Sequence, residues 1–158
     1  SINSKGIVRV TAPKLVSKSV IEKFVTSKES WIEGVLKKMK ALQQSEFSGP
    51  KFSYHANKAR AKKILTERVK HFAHVHGFTF KRISIKNTSS RWGSCSTYDN
   101  LNFNYKLLFL SESLRDYVVV HELCHLRHHN HSRKFWQEVA RILPDYQVRE
   151  RELKKYHL

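Results

Sequence analysis

Along the chain, apolar residues recur at spacings of three and four in long stretches and alternate with polar ones in short stretches. That pattern predicts helices separated by a few strands. Residues 6–12 alternate, with Val8 and Val10 on one face, and Pro13 ends the strand. Val20, Ile21, Phe24 and Val25 mark a short helix whose Ser19 and Glu22 form a capping box. Trp31, Ile32, Val35, Leu36, Met39 and Leu42 mark a second, entered through Thr26 and Glu29. Together they make a helical arm broken near Thr26, with Lys37, Lys38 and Lys40 on its solvated side. Residues 43–54, centred on Gly49-Pro50, read as a connecting loop.

A third helix is predicted over residues 55–76, with Ala56, Ala59, Ile64, Leu65, Val69, Phe72 and Ala73 as its apolar positions and Gly77 as its terminator. Residues 78–86 read as a strand with a bulge where the apolar parity shifts between Phe80 and Ile83. Residues 89–95 and 101–105 read as paired strands around a loop at 96–100. Tyr117, Val119, Val120, Leu123, Cys124 and Leu126 then fill most of the circumference of one helix, which is therefore buried. Phe135, Trp136, Val139, Ile142 and Leu143 mark another helix, stopped by Pro144, and a polar helix runs to about Tyr156. At 158 residues this is expected to be one domain, with strand and arm over residues 1–50 and a core over 55–158. In that core the 55–76 helix backs the buried one.

The buried helix carries one polar strip, in His121-Glu122-Leu-Cys-His125. At 100° per residue, His125 lies roughly 40° around the axis from His121 and about 6 Å along it, so both imidazoles reach one ion. Glu122 projects from the flank, too far round to be a ligand but placed to hold a water on the metal. This is the division of labour of a zinc hydrolase, with the glutamate as general base. With ten His and ten Glu in the chain, an accidental match has roughly a 4% chance, so the motif needs its context. Burial supplies it, because ionisable groups on a buried helix are costly unless paired or metal-bound.

His128 and His129 would continue the strip, with His129 about 12 Å along the axis from His121. Three ligands in a row on a straight helix cannot converge on a tetrahedral ion. The third must follow a turn. Asn130 suits a left-handed helix end, Ser132 suits the next N-cap, and His131 between them is the expected third zinc ligand. The spacing matches the metzincin arrangement, but His128 replaces the turn glycine there. Met39 is the only methionine, which leaves no methionine turn.

Charge changes the picture of partners. Thirty Lys and Arg against thirteen Asp and Glu give a net charge of +17, a field that attracts polyanions such as nucleic acid. Lys58, Arg60, Lys62, Lys63, Arg68 and Lys70 face only Glu67 along the 55–76 helix and form the expected polyanion-facing surface. His71, His74 and His76 belong to its surface, since no second motif gathers them. No recognised DNA-reading motif is present. Two cysteines give no disulfide framework, and no run is long and apolar enough for a membrane span or signal. A soluble, cytoplasmic protein is expected.

Trp31-Ile32, Arg91-Trp-Gly-Ser-Cys95, Leu101 with Asn102 and Asn104, Tyr117-Val-Val-Val-His-Glu-Leu-Cys-His125, Asn130-His-Ser132, Phe135-Trp136 and Leu143-Pro-Asp-Tyr146 together resemble the YgjP-like metallopeptidases. That family is similar to the SprT-like and WLM metallopeptidases, some of which cut proteins crosslinked to DNA, and to the minigluzincins. The resemblance implies an α+β, compact zincin-like fold, with zinc on His121, His125 and His131 and Glu122 catalytic. The His128-His129 pair departs from the family pattern and leaves a rival third ligand.

The expected function is a zinc-dependent metallopeptidase: Glu122 takes a proton from a zinc-activated water as it attacks the peptide carbonyl. Its substrate is a polypeptide, nucleic-acid-associated proteins included, and the hairpin edge holds it by strand addition. Arg91, Tyr105, His128 and His129 are the candidates for a second oxyanion donor. Asp116 is either a partner for a ligand imidazole or an exposed helix residue. Two alternatives stay open: a nucleic-acid-binding module with structural zinc, for which Cys95 would be the fourth ligand, and a metal-dependent hydrolase of a non-peptide bond.

Overall fold

A computed structural model describes residues 8–13, 16–43, 47 and 49–158. The chain forms two compact units, residues 1–45 and 46–158. In the first, α1 (Lys18–Thr26) and α2 (Glu29–Gln43) are the two helices of the expected arm. Ser17, not Ser19, precedes α1, and its hydroxyl meets that of Ser19 (3.1 Å) instead of capping the backbone. Thr26 likewise ends α1 rather than capping α2, because the Ser27 hydroxyl donates back to the Phe24 carbonyl (2.7 Å) and closes the turn. Val8 makes an isolated β-bridge and residues 9–13 have no regular secondary structure. Residues 6 and 7, much of the 43–54 loop and the side chains of Lys37, Lys38 and Lys40 lie outside what is described.

The second unit opens with a 3₁₀ turn, Pro50–Phe52, into α3 (Tyr54–His76). Gly77 adopts φ +67°, the left-handed conformation that ends a helix and that glycine takes without a Cβ penalty. The buried stripe of α3 is Ala61, Leu65, Val69, Phe72 and Ala73. Ala56 and Ala59 are exposed, since the stripe begins one turn later than the apolar spacing predicts.

Three strands follow: β1 (Arg82–Lys86), β2 (Gly93–Cys95) and β3 (Asn100–Asn104). They form a mixed sheet in the order β1-β3-β2, with β1 parallel and β2 antiparallel to β3. Ile83 pairs with Leu101 and Ile85 with Phe103, so one face is apolar. The other carries Asn102, which donates to the Ser94 hydroxyl (3.2 Å). Phe80 lies before β1, so its parity shift marks the start of the strand and not a bulge within it. Between β2 and β3 the chain turns at Asp99, whose φ of 58° is the only positive value at a non-glycine among the described residues.

After a 3₁₀ turn at Tyr105–Phe109, α4 (Glu112–Cys124) is capped by the Ser111 hydroxyl, which accepts from Leu114 N (3.4 Å). Val119, Val120, Leu123 and Cys124 are fully buried. Helices α5 (Arg133–Ile142) and α6 (Tyr146–Leu153) pack on α4. This is the α+β architecture expected, with α3 behind the motif helix and a small mixed sheet beside it.

Asp116 has a different role from the one anticipated. It is buried, but faces α3 and not an imidazole, accepting from Arg68 Nε (2.7 Å) and Nη2 (2.6 Å). Arg68 is thereby withdrawn from the basic surface, and the pair raises its pKa, led by the hydrogen bond to Asp116. Asp116→Ala leaves the half-buried guanidinium with only the exposed Glu112 (3.5 Å) as its ion pair, and urea unfolding is expected to show a loss of about 1 kcal/mol. A midpoint equal to the parent's would show that the pair does not couple the two helices.

Candidate active site

The motif lies at the C-terminal end of α4, and the local structure there differs from a helix continued to Asn130. Helix α4 stops at Cys124, and residues 125–127 form a turn. Asn130 has no positive φ. From this turn Arg127 reaches away from the helix: it donates to the carbonyls of His76 (2.9 Å) and Gly77 (2.8 Å), pairs with Glu138 (2.6 Å) and lies 4.1 Å over the Phe78 ring. The C-terminus of α3, the turn and α5 are thus tied at one side chain. Ser132 precedes α5 as expected, though its hydroxyl makes no capping bond.

This turn carries His131 back to the motif. Its Nε2 stands 3.1 Å from Nε2 of His121. One donor nitrogen from each of His121, His125 and His131 lies within 4.8 Å of the others, and these form the one such group of three among the described residues. Two nitrogens bound to zinc at 2.0–2.1 Å and a tetrahedral angle stand about 3.3–3.4 Å apart. The spacing of His121 and His131 therefore fits that ion. His125 Nδ1 donates to the main-chain carbonyl of His128 (3.0 Å), which fixes the tautomer and leaves Nε2 as the free donor. So His128 supplies a carbonyl, not a third ligand.

Aromatic rings hold the imidazoles in place. Phe135, fully buried on α5, stacks on His125 (centroids 4.5 Å) and meets His121 and His131 edge-on at 4.9 and 4.8 Å. Trp136 stacks on His131 (5.7 Å) and on Tyr146 (5.4 Å). Burial first, and then the neighbouring His125 and His131, push His121 down to about 3, which keeps its ring neutral and its lone pair available.

Glu122 is 6% exposed, and burial pushes its pKa up to about 8, with Arg91 opposing. Its Oε2 and the Nδ1 of His121 are buried atoms with no hydrogen-bond partner. An unsatisfied buried polar atom costs about 1–3 kcal/mol, so two together mark a place where a ligand or ion is to be recruited. Above Glu122 passes β2: a Cβ on Gly93 would lie 2.6 Å from Oε1, 2.7 Å from Cγ and 2.9 Å from Cδ of Glu122. Only glycine fits there. Among the described residues β2 is an edge strand with one side unpaired, and it borders the cleft.

That cleft, of about 500 Å³, brings Arg91, Cys95 and His129 together with Glu122 and the three histidines. Tyr105, by contrast, is buried and donates its hydroxyl to the Phe52 carbonyl (2.6 Å), which removes it from the oxyanion candidates. Cys95 is not part of the histidine group; its thiol meets the Ser96 carbonyl (3.5 Å), and burial and then Glu122 push its pKa up to about 11. Gly93, Arg127 and Phe135 were not legible as site residues, since their roles depend on residues distant in sequence.

No helix among the described residues is long and apolar enough to cross a membrane. A comparison with curated proteins finds no match. Among solved structures, the metallopeptidase zymogen of Pyrococcus abyssi abylysin is similar at 23% identity and a TM-score of 0.52, over 58% of this chain and 93% of that one. The metallopeptidase zymogen of Methanocaldococcus jannaschii jannalysin is similar at 25% identity and a TM-score of 0.49, over 57% and 91%. The first likeness is one of fold. The sequence matches the YgjP-like metallopeptidase domain over residues 1–59 and 43–156. With that match spanning nearly the whole chain, the protein belongs to the YgjP-like family and is a metallopeptidase.

Proposed function

We propose that the chain is a zinc-dependent endopeptidase in which His121, His125 and His131 hold the metal and Glu122 is the general base. The observation that carries this reading is the convergence of three imidazoles beside a buried carboxylate with an unpartnered oxygen. Zinc bound there supplies a Lewis acid that polarises the scissile carbonyl and lowers the pKa of a water towards neutrality. The dication also opposes the effect of burial on Glu122 and favours its charged form. Glu122 then accepts a proton from the attacking water and returns it to the leaving amine nitrogen. Substrate adds to the unpaired side of β2, which aligns the scissile bond over Gly93 and Glu122.

Nucleic-acid-associated proteins are the second part of this reading. Lys58, Arg60, Lys62, Lys63 and Lys70 remain exposed on α3, in a chain of net charge +17. One experiment addresses both parts. Zinc-loaded protein is incubated with a basic, DNA-bound polypeptide, with and without single-stranded DNA, and after chelation. Cleavage is expected to disappear on chelation and return with zinc, and DNA is expected to stimulate it at low salt but not at high salt. Cleavage that survives complete metal removal would sink the zinc reading. An unchanged rate with DNA would sink only the nucleic-acid part.

A further inference from the structure

Gly93 sits between two cavities of opposite character, and both share His121 and Glu122 with it. The larger, of about 500 Å³, is polar and is lined by Ser90, Arg91, Ser94 and His129. The smaller, of about 270 Å³, is mostly apolar, bounded by Trp92, Tyr117, Val118, Leu153 and Tyr156, and the two charged residues on its wall, Glu150 and Lys154, pair with each other (2.7 Å). Gly93 lines both cavities, so a peptide laid along β2 at that residue borders both.

Arg91 dominates the polar side. It is exposed, and its guanidinium has no ion pair or hydrogen bond among the described residues. Its main chain, in contrast, is fixed. Asn104, 1% exposed, donates to the Arg91 carbonyl (3.3 Å) and the Thr88 carbonyl (2.8 Å), and the Thr88 hydroxyl donates to Arg91 O (3.0 Å). Asn104 N also donates to the Trp92 carbonyl (2.8 Å). The chain thus presents an unneutralised guanidinium from a clamped backbone. The only carboxylate lining this cavity is Glu122, which is buried beneath Gly93. A planar fork of donors of this kind pairs best with a carboxylate.

We infer that Arg91 determines specificity, selecting a substrate with an acidic side chain on one side of the scissile bond and a large apolar side chain on the other. This rests on the peptidase reading for the position of the scissile bond. The group recognised is a peptide carboxylate, and the two cavities together require the acidic and apolar residues to flank the cleaved bond. Successive side chains of an added strand point to opposite sides, so the two residues that flank the bond enter different cavities. The selectivity is therefore confined to positions near the bond.

The test uses fluorescent peptides with Glu-Leu or Leu-Glu at their centre and twins in which Gln replaces Glu. Binding to the zinc-loaded E122Q chain is read by anisotropy, and hydrolysis by the parent is read separately. In one of the two orders, the Glu peptide is expected to bind roughly tenfold more tightly than its Gln twin. That ratio should fall close to one in the R91Q/E122Q chain, recover in part in R91K/E122Q and persist in H129Q/E122Q. Equal binding of the twins in both orders, a ratio that survives R91Q, or no measurable binding of any peptide overturns the inference. An Arg91-dependent ratio without hydrolysis by the parent supports this inference while sinking the peptidase reading, so the two failures are distinguishable.

Discussion

Glu122→Gln is expected to lower kcat/KM for peptide hydrolysis roughly 10²–10⁴-fold, the range over which a positioned general base contributes, while one equivalent of zinc stays bound. The side chain keeps its shape and the histidines keep their places, so only the capacity to take and return a proton is removed. Freed of metal, the variant is also expected to melt no lower than the metal-free parent. Burial pushes the Glu122 pKa up to about 8, which means that the fold disfavours the charged carboxylate at this place. A neutral amide relieves that cost. Kinetics on an unstructured peptide, beside metal analysis of the same preparation, checks both statements. Activity equal to the parent's at full zinc content would remove Glu122 from the mechanism.

Gly93→Ala should come close to this loss without touching a titratable group. The added methyl falls 2.7 Å from Cγ and 2.6 Å from Oε1 of Glu122, so it meets the stem of the side chain as well as its end. Glu122 is enclosed and cannot swing into solvent, and the carboxylate must shift within the site. A misplacement on the order of 1 Å at a reacting group costs about 10²-fold in rate. Zinc content is expected to be unchanged, because the three atoms nearest the new methyl all belong to Glu122. Gly34 is the control: a Cβ there meets nothing within 4 Å, and Gly34→Ala should leave activity at the parental level. Since Gly93→Ala acts through Glu122, its effect should largely vanish in the Glu122→Gln background. Two fully multiplicative losses would show that the methyl acts elsewhere.

The elements were legible wherever one physical signal dominated. The apolar circumference of residues 117–126 identified a buried helix, and Gly77 ended α3 as predicted. Signals were weaker where several local partners competed. Ser17, Ser19, Thr26 and Ser27 all offer hydroxyls at the ends of α1, and the spacing of Ser19 with Glu22 selected the wrong one. Asn130 was read as a helix terminator from its tolerance of positive φ. The helix stops earlier, at Cys124, and the turn after it is tied by Arg127 to carbonyls about fifty residues away. Asp116 illustrates the same limit: its place on the motif helix was evident, but its face was not, and it is bound to Arg68 of α3.

The candidate site divides along similar lines. By itself the sequence determined the two histidines and the glutamate of the motif, because helix geometry fixes the relative directions of residues one and four apart. It also required the third histidine to come from beyond a turn, since a tetrahedral ion cannot be reached from one straight row. Tertiary structure alone decided how that turn is held, through Arg127, and which rings hold the imidazoles, through Phe135 and Trp136. It decided as well that β2 crosses Glu122 at a residue without a side chain and that Arg91 lines the same cleft. These relations are made between segments tens of residues apart, and no periodicity in the chain encodes a distance between two elements that meet only when the core closes.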